Sequence, residues 1–127
     1  MKKFVNVKIR SLIGMPILFA ILFLIDSCSK SSDSTPGTNE VFISNMAFDP
    51  ATITVAVGTN ITWINNDATA HTVTSDTGSA DTFDSGSISA SGGYGGGGSF
   101  HRTFATAGTF HYHCSIHPSM HGTVIVQ

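Results

Sequence analysis

Charge is scarce in this chain. Of its 127 residues, six are Lys or Arg and eight are Asp or Glu. A formal balance of −2 has none of the basic excess that marks a nucleic-acid-binding domain, so no nucleic acid is expected as a partner. Cysteine is scarcer still. Cys28 and Cys114 are two thiols, too few for the dense disulfide framework of a small secreted scaffold. The length excludes a (β/α)₈ barrel, which needs roughly 250 residues, and leaves room for one domain. No apolar run reaches the roughly 20 residues that a membrane-spanning helix needs. A sustained helical period is missing from Glu40 onward.

What is present begins with a leader. Lys2, Lys3, Lys8 and Arg10 precede a short apolar run from Leu12 to Ile25. A basic start followed by such a run reads as a secretory signal over residues 1–27. Ile25-Asp26-Ser27-Cys28 then resembles a bacterial lipoprotein processing site, which makes Cys28 the lipidated N-terminus of the mature chain. A cleaved signal leaving a spare thiol, or an uncleaved anchor, are the alternatives at this point. Residues 29–39, SKSSDSTPGTN, have no aliphatic or aromatic side chain to place in a core. As a flexible coil they reach roughly 18 Å. The expected organisation is a signal (1–27), a lipidated tether (28–39) and a folded domain (40–127), exported and anchored to a bacterial membrane on its periplasmic or outer side. Past residue 27 only Lys30 and Arg102 oppose Asp33, Glu40, Asp49, Asp67, Asp76, Asp81 and Asp84, so the exported part carries 2 − 7 = −5.

The folded part reads as strands. Ile53, Val55 and Val57 alternate along one face, with Gly58 marking a turn. Ile61 and Trp63 continue the pattern, Phe100 and Phe104 flank polar residues, and Phe110, Tyr112 and Cys114 alternate with His111 and His113. Residues 123–126 supply the final strand. Alternation with β-branched and aromatic enrichment argues half-buried strands. Several short strands in about 87 residues argue an all-β, two-sheet sandwich. The Gly92–Gly98 stretch contains a formal G-x-G-x-x-G, but it follows no buried strand and opens no helix, so it reads as a loop.

The chemistry concentrates in HYHCSIHPSMHG, residues 111–122. Cys114, His117 and Met120 stand at spacing C-x₂-H-x₂-M. Thiolate and thioether are soft ligands suited to copper, and two His plus one Cys with a weak axial Met is an electron-transfer copper geometry. Such a site needs a second His, and His71 is the candidate. Taken singly, His71 also reads as a polar loop residue, Cys114 as a buried structural thiol and Met120 as packing. His111 and His113 read as outward-facing surface residues, with an H-x-H spacing open to stray metal, and His121 as exposed.

WINNDATAHTV (63–73) followed by YHCSIHPSMHGTVIV (112–126) resembles the small blue copper proteins, the cupredoxins. Within this plastocyanin/amicyanin-like group the short ligand loop is most similar to that of the amicyanins, since plastocyanins and pseudoazurins carry two more residues before Met, and MAFDPATITVAVGTNITW (46–63) and FDSG (83–86) are similar to the same family. The resemblance implies a Greek-key sandwich of about eight strands around one type 1 copper ion. It implies His71, Cys114 and His117 as equatorial ligands and Met120 as the axial one. In many relatives an Asn follows the first His and links the ligand loops. Thr72 stands there in this chain, facing Ser115 as the expected partner. Ala70, Ile116 and Pro118 flank the ligands as a docking patch. The implied function is a monomeric, membrane-tethered carrier of single electrons between redox proteins, such as a c-type cytochrome or a copper enzyme, and not an enzyme itself. The rival readings are a copper sequestration or transfer module, and a sandwich used only for adhesion.

Overall fold

A computed structural model describes residues 35–92 and 97–127. The expected signal, Cys28 and most of the tether lie outside the described residues, as do residues 93–96 of the glycine-rich stretch.

Eight strands form, and among the described residues there is no helix. They are β1 (Glu40–Ser44), β2 (Ala47–Asp49), β3 (Thr52–Val55), β4 (Asn60–Asn65), β5 (Thr74–Ser75), β6 (Ser99–Thr103), β7 (Gly108–His113) and β8 (His121–Val126). One sheet has the order β2-β1-β4-β6 and the other β3-β8-β7-β5. Both are mixed, since β1 runs parallel to β4 and β3 parallel to β8 while the other pairs are antiparallel. The two-sheet sandwich expected from alternation is therefore the fold observed.

Alternation decides what each strand buries. Val41 and Ile43 of β1, Ile61 and Trp63 of β4, Phe110 and Tyr112 of β7, and Val124 and Val126 of β8 all point into one core. Trp63 and Tyr112 lie at its centre and are fully buried. The Trp63 Nε1–H donates to the Tyr112 hydroxyl at 3.1 Å, which satisfies both polar atoms inside an apolar interior. Gly122 lies in β8 directly opposite Tyr112. A Cβ placed there would come within 2.2 Å of the tyrosine ring, so glycine is what lets the ring lie against the strand.

One expected strand is shorter than its pattern. Val57 continues the alternation of Ile53 and Val55 but is 48% exposed. The chain leaves the sheet after Val55 and turns at Gly58, whose φ of 83° belongs to the left-handed region that glycine tolerates. At the other margin, the Asn39 carbonyl accepts the Thr62 N–H at 3.0 Å, so the residue before β1 is already paired with β4.

Candidate metal centre

Three of the four expected side chains converge at one end of the sandwich. His71 sits in the connection between β4 and β5, held by reciprocal backbone hydrogen bonds with Ile88. Cys114 directly follows β7, and His117 lies in the short loop to β8. That loop is closed from within: the Cys114 N–H donates to the Met120 carbonyl at 3.1 Å, and the Met120 N–H donates to the His117 carbonyl at 3.0 Å. Seven residues thus present Cys114, His117 and Met120 from a compact frame. Met120 is 3% exposed and joins the core cluster.

The donor atoms form a small triangle. Cys114 Sγ lies 3.7 Å from His71 Nδ1 and 3.7 Å from His117 Nδ1, and the two Nδ1 atoms are 3.1 Å apart. The point equidistant from the three, in their plane, is about 2.0 Å from each, which is a metal–nitrogen bond length. His71 and Cys114 are fully buried and His117 half-buried. Two imidazole nitrogens and a thiol facing one another in a largely buried pocket suit a soft, imidazole-binding metal, and the donor set fits copper.

The tautomer of His71 follows from its other nitrogen. Nε2 lies 2.9 Å from Asp67 Oδ2. An ionised carboxylate only accepts, so Nε2 carries the hydrogen and the Nδ1 lone pair faces Cys114 and His117. Asp67 also accepts the N–H groups of Asn45 at 2.7 Å and Met46 at 3.0 Å. Burial acts to raise the Asp67 carboxyl, but the Met46 and Asn45 donors and His71 outweigh it, and its pKa falls below the ordinary carboxylate value. Asn45 and Met46 form the left-handed turn between β1 and β2, with φ of 54° and 59°. One carboxylate therefore joins that turn to the first histidine.

Asn65 supports the same region. It is fully buried, and its Nδ2 faces the carbonyls of Thr69, Ile88 and Ser89 at 2.9, 3.2 and 3.0 Å, while its Oδ1 accepts the Asp67 N–H. Gly98 closes the other side, donating to the Ser89 carbonyl and accepting from the Asn65 N–H, each at 3.0 Å. Sequence reasoning passed over Asn65 and Asp67. Their signal is the Asn65-Asn66-Asp67 run that ends β4, whose short polar side chains bond nearby backbone and so organise a turn.

Thr72 and Ser115 do meet. The Thr72 Oγ1 accepts the Ser115 N–H at 2.8 Å, and the Thr72 N–H donates to Cys114 Sγ at 3.3 Å. Thr74 adds its hydroxyl at 3.0 Å from both Thr72 Oγ1 and Ser115 Oγ. A threonine hydroxyl thus spans the gap between the ligand loops. At the surface, Ile116 is 49% exposed, Pro118 is exposed and Ala70 half-buried. Met46 is 46% exposed and is anchored through Asp67 at this same end. Of the remaining histidines, His111 and His121 are exposed as expected. His113 is only half-exposed, because its Nδ1 is drawn to Asp76 Oδ1 at 2.6 Å.

Comparison with known proteins bears on this geometry. Residues 37–127 match the family described as copper binding proteins of the plastocyanin/azurin type. Amicyanin from Paracoccus denitrificans is 31% identical over 106 residues, covering 80% of this chain and 75% of that protein. Among solved structures, a purple cupredoxin from Nitrosopumilus maritimus superposes with a TM-score of 0.59 at 26% identity, covering 69% of this chain and 98% of that one. The Cu(I) form of an amicyanin mutant gives a TM-score of 0.57 at 29% identity, covering 76% and 88%.

Proposed function

The chain belongs to the plastocyanin/azurin family of copper binding proteins, and we propose that it is a one-electron carrier, tethered to a membrane and cycling one type 1 copper ion between Cu(I) and Cu(II). The observation that carries this reading is the convergence of His71 Nδ1, Cys114 Sγ and His117 Nδ1 within 4.8 Å of one another. In this reading those three atoms and the Met120 thioether would hold the copper ion, which would supply the one-electron couple.

Bound copper supplies the redox couple, and the chain's own residues supply a fixed frame. Asp67 holds the His71 ring so that its lone pair faces the site. The Thr72 N–H donates to Cys114 Sγ and stabilises the charge of a thiolate, which metal binding requires. Backbone hydrogen bonds inside the Cys114–Met120 loop, and the Thr72–Ser115 link across it, resist rearrangement when the charge changes. A half-buried His117 gives electrons a short route to the surface. Ile116, Pro118 and Ala70 surround that route as an apolar docking patch.

In this reading the signal over residues 1–27 exports the domain, lipid on Cys28 holds it at the membrane, and the chain works as a monomer. The net charge of −5 over residues 28–127 favours a basic redox partner such as a c-type cytochrome. Association with such a partner slows as salt rises; a rate independent of ionic strength overturns this choice of partner.

Copper titration with visible spectroscopy and voltammetry tests the whole reading. One equivalent of Cu(II) produces an intense thiolate-to-copper band, and the loaded protein cycles reversibly. Loss of metal on reduction assigns the chain to copper transfer instead, and absence of the band removes the carrier reading.

A further inference from the structure

A second set of metal-ligating side chains lies on the outward face of the sheet containing β7 and β8. In that antiparallel pair His113 stands directly opposite His121, and His111 opposite Thr123. Directly opposed residues share a face, with Cβ atoms about 4.5–5.5 Å apart. The His113 and His121 rings have centroids 6.4 Å apart, tilted by 49°.

We propose that His113 and His121 form a surface site for one divalent first-row transition-metal ion, with Asp76 as the residue that orients His113. Asp76 Oδ1 lies 2.6 Å from His113 Nδ1. The carboxylate only accepts, so Nδ1 carries the hydrogen, and in the neutral ring the Nε2 lone pair is left free. A carboxylate on the far nitrogen is the usual companion of a metal-binding histidine, because it fixes both tautomer and ring direction. Asp76 is itself fixed, since its N–H donates to the His111 carbonyl at 3.0 Å. It therefore extends β5 along the edge of β7 away from β8, and reaches His113 from the side opposite His121.

The spacing suits a shared ion. Two imidazoles bound through nitrogens about 2.1 Å from one metal place their ring centres roughly 4.6–6.5 Å apart, according to the angle at the metal. The observed 6.4 Å lies at the wide end of that range, and His121 is exposed and free to turn inward. His111 is the weaker partner. Its Nδ1 faces the Thr123 hydroxyl at 3.1 Å, and among the described residues no carboxylate orients it. Two protein nitrogens leave the remaining coordination positions to water, so the ion is exchangeable. Imidazole selects among Cu²⁺, Ni²⁺ and Zn²⁺ over Mg²⁺ or Ca²⁺. His113 adjoins Cys114 and His121 adjoins Met120 in the chain, so the ion would sit beside the ligand loop without entering it.

Calorimetric titration with Ni²⁺ on the full chain, copper already loaded, tests this. The expected result is one equivalent bound with the visible copper band unchanged. His121→Ala and His113→Gln each weaken binding at least 10-fold, Asp76→Asn weakens it about 10–100-fold, and His111→Ala changes it less than 3-fold. Retention of the copper band shows that each variant is folded. Should the chain hold no copper, the same titration on the free protein counts any Ni²⁺ taken by His71, Cys114 and His117 as a separate event that these variants do not alter. Absence of the surface equivalent, its survival in His121→Ala, or its loss in His111→Ala overturns the site. Unchanged affinity in Asp76→Asn overturns the orienting role.

Discussion

The Thr72 hydroxyl accepts the Ser115 backbone N–H at 2.8 Å, tying the residue after His71 to the residue after Cys114. Thr72→Val preserves the shape and deletes the acceptor, leaving the Ser115 N–H without its partner. The expected cost is about 1–3 kcal/mol of stability, read by denaturant unfolding of the copper-loaded protein. Thr72→Ser restores most of it. The Thr72 N–H still donates to Cys114 Sγ in all three proteins, so the copper band persists.

Asp67→Asn strikes the carboxylate that serves three donors. Asn45, Met46 and His71 share its two oxygens, whereas an amide offers one acceptor oxygen. At least one donor is stranded, and His71 loses its fixed tautomer. Copper affinity falls about 10–100-fold in competition with a chelator. An unchanged affinity would mean that Ile88 alone positions the ring.

Ligand substitutions separate colour from potential. Cys114→Ala removes the thiolate and with it the intense visible band. Met120→Leu keeps the donors of His71, Cys114 and His117, so the band remains while the reduction potential shifts in voltammetry. A colourless Met120→Leu protein would place the thioether among the essential ligands.

Much of this is legible in the sequence, and the reason differs by element. Strands β4, β7 and β8 announce themselves because one face of each is buried and the other is not, which forces alternation. Val57 misled because alternation reports a tendency of side chains, while the left-handed turn at Gly58 decides where the backbone leaves the sheet. Cys114, His117 and Met120 were legible because their spacing is local. Asp67 was not: its role depends on the β1–β2 turn folding back 21 and 22 residues to reach it. Asn65 is missed for the same reason, since only the fold shows its amide buried among three carbonyls. The cross-strand pairing of His113 with His121 requires the register, which no linear spacing states.

Tyr112 makes stability depend on alkaline pH. Burial pushes its hydroxyl up to about 12 from an ordinary 10, partly opposed by the hydrogen bond from Trp63. A folded pKa above the unfolded one gives stability that is complete below pH 10 and is lost as pH rises toward 12. Two pH units correspond to up to about 3 kcal/mol. Unfolding midpoints measured from pH 9 to pH 12 should fall across that window, and the fall should vanish in Tyr112→Phe.

Gly122→Ala places a methyl group where the Tyr112 ring already lies. The ring is enclosed by Phe48, Trp63 and Phe83 and has nowhere to move. Overpacking of this kind costs about 1–3 kcal/mol. Thermal unfolding reads it, and pairing the change with Tyr112→Phe recovers little, since the clash involves the ring as well as its hydroxyl.

The parallel pairing of β3 with β8 carries a kinetic consequence. Thr52 meets Thr123 across 123 − 52 = 71 residues, and His71 meets Cys114 across 43. Contacts so distant along the chain form only after long loops have closed, and proteins dominated by them fold over milliseconds to seconds rather than microseconds. The ion's binding pocket is assembled by that same slow closure. The donors come from the β4–β5 connection and from the loop between β7 and β8, so new protein gains its metal-binding triangle only once the chain has closed the 43-residue loop between His71 and Cys114.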